Sequence, residues 1–188
     1  FLAANRNGLR DEDGEPEDWI ELRNRGTNAV DLAGWSLTDE RGDPGKWTFP
    51  SVVLAPGQLL VVFASGKDRR IEGGAKRCHT NFKLNPAREY LALFDAESPR
   101  GMVTELGPEF PLQRTDVAYG QTATGEWSYF ARPTPGAVNP SIQSFAGVVA
   151  APVPSVAPGW FTEPFTLALT TETAGASIYF TLDGSEPS

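Results

Sequence analysis

Two short stretches near the start of the chain show the pattern of β-strands joined by a turn. Residues 19–24 alternate apolar and polar side chains with the two-residue period of a strand that is buried on one face. Residues 25–28 carry the Gly and Asn that turns favour. The next apolar side chains then follow at Val30, Leu32, Trp35 and Leu37. This pattern predicts two strands with a tight connection.

Turn residues recur along the rest of the chain and favour an all-β architecture. The 188 residues include 19 Gly and 16 Pro, and short apolar runs separate them. Turn signals about 8–12 residues apart are typical of a β-sandwich. Further strands are predicted near residues 46–49, 59–65, 89–95, 101–106, 115–121 and 127–130.

The net charge argues against a nucleic-acid partner, and the lengths of the apolar runs argue against a membrane span. The net charge is -8, whereas affinity for nucleic acid comes largely from Lys and Arg. The best basic candidates are interpreted as a solvated loop: Lys67, Arg69, Arg70, Lys76 and Arg77. No apolar run reaches the length of a membrane span. We therefore expect no nucleic-acid partner and no membrane span.

Several stretches occur in the order seen in a known family. They are residues 17–24, 30–39, 46–50, 54–66, 79–85, 113–120 and 131–139. Together they resemble the lamin tail domain, which occurs in nuclear lamins and widely in bacterial secreted proteins. The resemblance covers residues 1–139 and implies an immunoglobulin-like β-sandwich. It also implies a structural or binding role, other domains in a longer parent protein, and an extracellular or cell-surface location.

The composition changes after residue 139. Residues 140–152 are interpreted as a linker, and residues 153–188 return to strand-like alternation. The stretch 178–188 resembles the small β-module at the C-terminus of chitobiases and hexosaminidases. That resemblance implies an incomplete second β-module, which we expect to be less stable than residues 1–139 because it leaves a strand edge unpaired.

Six acidic residues fill most of positions 11–18, here called the acidic loop. Asp11 and Asp13 fit the first alternation of a calcium loop, but Gly14 comes too early for an EF-hand and no terminal Glu follows. A calcium site and a solvated loop both remain open. Asp183 is a further cation candidate in the second module. No other cofactor is predicted.

Catalytic constellations are scarce in this sequence. Cys78 and His79 are the sole residues of their types, so neither a zinc site nor a Cys–His pair has enough ligands or partners. Adjacent residues in an extended segment also point to opposite faces. The single His leaves a Ser-His-Asp triad to chance. We therefore expect no enzymatic activity.

Aromatic side chains are the remaining candidates for a binding site. Trp35 and Trp47 are predicted to lie in the core, whereas Trp160 and Tyr179 are predicted to be available to a ligand. We expect a non-catalytic interaction or spacer module of a larger bacterial secreted or cell-surface protein that contacts protein or polysaccharide. The alternative is a carbohydrate-binding module attached to a polysaccharide-degrading or other hydrolytic enzyme.

Overall fold

The structure is a computed structural model that describes residues 1–70, 78–140 and 144–187. Its described part is all-β, as the sequence predicts, and contains no helix that is long and apolar enough to cross a membrane. The chain divides into two units, Phe1–Ala146 and Gly147–Ser188. Lys76 and Arg77 of the predicted basic loop, and residues 141–143 of the predicted linker, lie outside the described residues.

The strands of unit 1 are short and follow one another closely. In chain order they are β1 Trp19–Arg23, β2 Val30–Asp31, β3 Ser36–Thr38, β4 Trp47–Thr48, β5 Val53–Leu54, β6 Leu59–Phe63, β7 Cys78–His79, β8 Leu91–Phe94, β9 Met102–Leu106, β10 Ala118–Gln121, β11 Trp127–Phe130 and β12 Ser144–Phe145.

These strands form several small sheets. The strand orders are β1-β6-β7, β4-β3-β8-β9, β10-β11-β12 and β2-β5. The pairs are antiparallel except for β6 and β7, which run parallel with Val62 opposite Cys78. Strand β9 lies at the edge of its sheet, and its side chains are largely exposed.

One apolar core joins the first two sheets into a sandwich. Ile20 and Val62 come from the β1-β6-β7 sheet, whereas Leu37, Trp47 and Leu93 come from the β4-β3-β8-β9 sheet, and all five belong to the same buried cluster. Burial of apolar area at about 25 cal/mol per Å² is the main force that holds such layers together.

The two predicted core tryptophans differ in burial. Trp47 is fully buried and packs edge-on against Phe49, with ring centroids 4.7 Å apart. Trp35 is half-buried at the margin of the same cluster. Trp35 comes directly after Gly34, where a φ of 76° turns the chain just before β3.

Contacts between the two ends of unit 1 close the domain. The backbone N–H of Tyr119 donates to the Phe1 carbonyl oxygen at 2.8 Å. The Asn7 side-chain amide donates to Asp116 Oδ2 at 2.7 Å. Glu21 Oε1 accepts the backbone N–H of Gly136 at 2.6 Å. Segments more than a hundred residues apart thus meet around the first strand.

The described part of the predicted linker includes residues that belong to unit 1. Ser144–Phe145 pair with β11, and Phe145 stacks on Tyr129 with ring centroids 5.5 Å apart and planes inclined by 13°. The aromatic contact explains why the compact unit continues past residue 139.

Unit 2 contains the strand pair β13 Val153–Pro154 and β14 Leu169–Thr170. None of its described residues is buried. The strand-like alternation at residues 178–182 gives no strand in the structure. Alternating apolar side chains therefore do not by themselves produce a strand here, because no described neighbour pairs with them.

Candidate functional site

The acidic loop is tied to the body of unit 1 by a lysine. Asp11 shapes the loop because its Oδ1 accepts the backbone N–H groups of Asp13 and Glu15, each at 2.9 Å. Its other oxygen pairs with the Lys67 ammonium group. That ammonium also lies 2.8 Å from Asp13 Oδ2 and 3.8 Å from Glu17 Oε1. The Asp11 carboxylate is thereby buried with a counter-charge.

A second connection runs through the buried His79. Its Nε2 lies 3.0 Å from Glu12 Oε2, and its Nδ1 lies 2.8 Å from Ser65 Oγ. A carboxylate only accepts hydrogen bonds, so Nε2 donates to Glu12. Arg69 adds a bond of 2.9 Å to the other Glu12 oxygen. The strand pairing of β6 with β7 places His79 beside Phe63, 5.1 Å between ring centroids.

These contacts change the pKa values of three carboxyl groups in the acidic loop. Burial raises the pKa of Asp11 and of Glu12, but hydrogen bonds from Lys67 and from His79 outweigh it, so that both values are lowered. For Asp13 the hydrogen bond from Lys67 is the largest cause of a lowered pKa. Asp11, Glu12 and Asp13 are therefore held in their ionised form.

The same geometry bears on the calcium hypothesis. Ligand atoms of Asp11, Glu12 and His79 lie within 4.8 Å of one another, but calcium takes oxygen ligands, whereas His79 offers a nitrogen. Lys67 and Arg69 already neutralise these carboxylates, so an entering cation would have to compete with them. Calcium binding stays a prediction.

These ion pairs also correct the interpretation of Lys67 and Arg69 as part of a solvated basic loop.

Asp183, the third cation candidate, belongs to unit 2. Its Oδ1 accepts the backbone N–H of Ser185 at 3.1 Å and the Ser185 hydroxyl at 2.7 Å. These local bonds lower the pKa of Asp183, with the hydroxyl as the largest cause. The arrangement is that of a polar turn.

The Ser65–His79–Glu12 chain has triad residue types but not the arrangement of a hydrolase triad. In that arrangement the serine bonds Nε2 and the carboxylate bonds Nδ1, whereas here the two nitrogens are exchanged. Ser65 is also buried, with 4% of its surface exposed. These hydrogen bonds therefore hold the acidic loop against β7. No local sequence pattern indicates these hydrogen bonds, because the residues that they join are 14 and 67 positions apart.

An apolar groove opens between the strands of unit 1. Its volume is about 500 Å³, and it is lined by side chains of β1, β3, β8, β9 and the β10–β11 hairpin. The apolar part of the lining includes the half-buried Leu22, Trp35 and Leu106, and it extends to the core residues Leu37 and Leu93. Most ligand sites are concave and apolar with a few polar groups, and this groove has that composition.

Polar and aromatic side chains form one rim of the groove, here called the rim (Arg23, Arg25, Gln121 and Trp127). Gln121 and Trp127 are paired across β10 and β11, so their side chains share a face. Arg25 Nη1 donates to Gln121 Oε1 at 3.0 Å. Trp127 is 42% exposed and stacks on Tyr119, with centroids 5.4 Å apart and planes inclined by 13°.

Sequence reasoning did not single out the rim. The predicted strands near 115–121 and 127–130 contained the one available signal, because their pairing across the Thr122–Glu126 turn sets Gln121 opposite Trp127. Arg25 lies 96 residues before Gln121, so the hydrogen bond between them is visible only in the structure.

The predicted ligand-binding aromatics both lie in unit 2. Trp160 is fully exposed, and Tyr179 is largely exposed. Phe161 and Phe165 pack against each other with centroids 4.4 Å apart and planes inclined by 45°. The described part of this unit contains no stacked pair of parallel rings.

The fold defines the class of protein, and comparisons with known families agree with it. Residues 5–108 match the model of the lamin tail domain, and residues 156–188 match that of the chitobiase/β-hexosaminidase C-terminal domain. The first match covers more than half of the chain, which belongs to the lamin tail domain family and has its immunoglobulin-like fold. Neither matched family is a catalytic domain. No curated protein matches the chain.

Proposed function

We propose that this chain is a non-catalytic interaction module of a larger bacterial secreted or cell-surface protein, and that it contacts protein or polysaccharide through the groove of unit 1. The groove carries the proposal, because it combines an apolar lining with the exposed Trp127 and polar rim groups.

Two features support a non-catalytic role. The triad-like residues Ser65 and His79 are buried away from solvent. In addition, both family matches are to non-catalytic modules. Hydrolysis of nitrophenyl esters, phosphates and glycosides is expected at background rates, unchanged by Ser65→Ala. Activity lost in that variant would contradict this part of the proposal.

The contact is tested by placing a photo-crosslinking residue in the groove. Val103 lines the groove and is exposed, whereas Val53 is similarly exposed but does not line it. In the full-length parent protein at its native location, the crosslinker at position 103 is expected to capture a protein or glycan that position 53 does not. Equal adducts at both positions, or none at 103, would contradict a groove contact.

The second candidate is a carbohydrate-binding module that uses Trp160 and Tyr179. The full exposure of Trp160 favours it, because an exposed indole offers a face to a sugar ring. The match to the chitobiase/β-hexosaminidase C-terminal domain supports a neighbouring hydrolytic enzyme. Affinity electrophoresis on chitin, cellulose and pectin separates the two candidates: loss of retardation in Trp160→Ala indicates unit 2, and loss in Trp127→Ala indicates the groove.

A further inference from the structure

We infer that the rim binds an anionic saccharide unit, such as a uronate, with its carboxylate at Arg23 and Arg25 and its ring on Trp127. This inference rests on the proposed function, because it names the ligand class of the same groove. Nothing in the family matches assigns a ligand to these residues.

The first support is a pair of cationic side chains that are not neutralised. Within the described residues, neither Arg23 nor Arg25 has a carboxylate oxygen within 4.0 Å. Arg25 donates instead to the neutral amide oxygen of Gln121. By contrast, Lys67 and Arg69 are each paired with two or more acidic side chains. A guanidinium group presents a fork of donors that fits a carboxylate.

The carboxylates that also line the groove are already engaged. Glu21 accepts the Gly136 backbone N–H at 2.6 Å, and burial raises the pKa of Glu21. Glu105 lies 3.6 Å from the guanidinium group of Arg41. The arginines of the rim therefore supply the charge that is available to a ligand, although the chain as a whole is acidic.

The second support is the aromatic surface beside these cations. One face of Trp127 is stacked on Tyr119, and 42% of the residue remains exposed. The Gln121 Nε2 group donates to no described residue, and Asn139 Nδ2 donates to the Gln121 carbonyl oxygen at 3.0 Å. An exposed ring with the Gln121 amide opposite it on the neighbouring strand suits the apolar face and the hydroxyl groups of a sugar better than a uniformly apolar peptide.

Polygalacturonate and its fully methyl-esterified form are a matched pair of probes, because esterification removes the charge and keeps the backbone. In affinity electrophoresis of the full chain, we expect retardation by polygalacturonate, weaker at high ionic strength. Arg25→Gln and Trp127→Ala are each expected to raise the apparent Kd about tenfold or more, the effect of losing a charge-assisted hydrogen bond or a ring contact. Circular dichroism of each variant verifies folding.

Two exposed residues outside the rim provide matched controls. Arg132→Gln and Phe180→Ala should bind as the unaltered chain does. Equal retardation by the esterified polymer, an equal loss in Arg132→Gln, or binding of polyglutamate in place of any saccharide would overturn the inference. The proposed function fails separately, through the crosslinking comparison of positions 103 and 53.

Discussion

The ammonium group of Lys67 lies among three carboxylates of the acidic loop. Replacing Lys67 tests how much these ion pairs stabilise the fold. In Lys67→Met, the stem is kept while the Asp11 carboxylate, whose side chain is fully buried, loses its counter-charge. We expect the free energy of unfolding to fall by about 1–3 kcal/mol, less than for a fully buried pair because 21% of the Lys67 side chain is exposed. Urea denaturation measures the change.

Lys83→Met is the matched control. Its ammonium group also faces Glu17, at 3.7 Å, but 67% of the side chain is exposed. Exposed ion pairs contribute about 0–1 kcal/mol. A loss in Lys83→Met as large as that in Lys67→Met would show that burial of the carboxylate is not what makes Lys67 matter.

The acidic loop also sets a pH dependence. Asp11, Glu12 and Asp13 have folded-state pKa values below the ordinary 3.8 and 4.5. Their stabilising contribution is therefore fully present above the unfolded-state values and is lost as the pH falls through the folded-state values. We expect the free energy of unfolding to decline below about pH 4, and to decline less steeply in Lys67→Met.

Other carboxylates act in the opposite direction. Burial raises the pKa of Asp18, Glu21 and Glu89, so that these groups favour the folded state more as they become protonated. Urea titrations of the unaltered chain and Lys67→Met over the same acid range isolate the loop, because these three groups are common to both. Parallel curves would contradict the assignment to Lys67.

Strand β3 lies between β4 and β8 in its sheet. Leu37 pairs with Trp47 on β4 and with Leu93 on β8, and it is 1% exposed. Leu37→Ala is expected to lower the free energy of unfolding by about 2–5 kcal/mol, because it leaves a cavity in the core. Val53→Ala on β5, which is largely exposed, should change it by about 0.5 kcal/mol or less. Similar losses in the two variants would contradict this ranking.

The strands that the sequence predicted well are those with their own apolar period. Residues 19–23 and 59–63 became β1 and β6 because alternation or a continuous apolar run was visible locally. The predicted strand over 29–38 is split into β2 and β3, because Gly34 turns the chain. Strand β7 was not predicted: it has two residues, and its burial depends on the parallel contact with β6.

At the scale of the whole molecule, the two units differ in the burial that protects a backbone. Unit 1 contains the buried clusters, whereas no described residue of unit 2 is buried. Hydrogen exchange is expected to be slower by orders of magnitude in β1 and β6 than in β13 and β14, because local opening costs little where few apolar contacts must break. Comparable protection in both pairs would contradict this expectation.

The fold was more predictable than the site. Composition, turn spacing and family motifs suffice for an all-β sandwich, because those signals are local or ordered along the chain. The candidate sites depend on side chains that meet across long separations, such as Lys67 with Asp11 and Arg25 with Gln121. Such contacts have no periodic signature in one sequence. Exposed Trp160 was predictable because it lies beside Gly159 at the end of a segment rich in Pro, Ala and Val.

The closing contacts of unit 1 have a consequence for its synthesis. Glu21 meets its amide partner at Gly136, 115 residues later, and Asn7 meets Asp116 across 109 residues. At about 5–20 residues per second, a ribosome takes roughly 6–23 seconds to make the intervening segment. The beginning of the domain is therefore translated first but completes its contacts last, and until then it is accessible to chaperones and proteases.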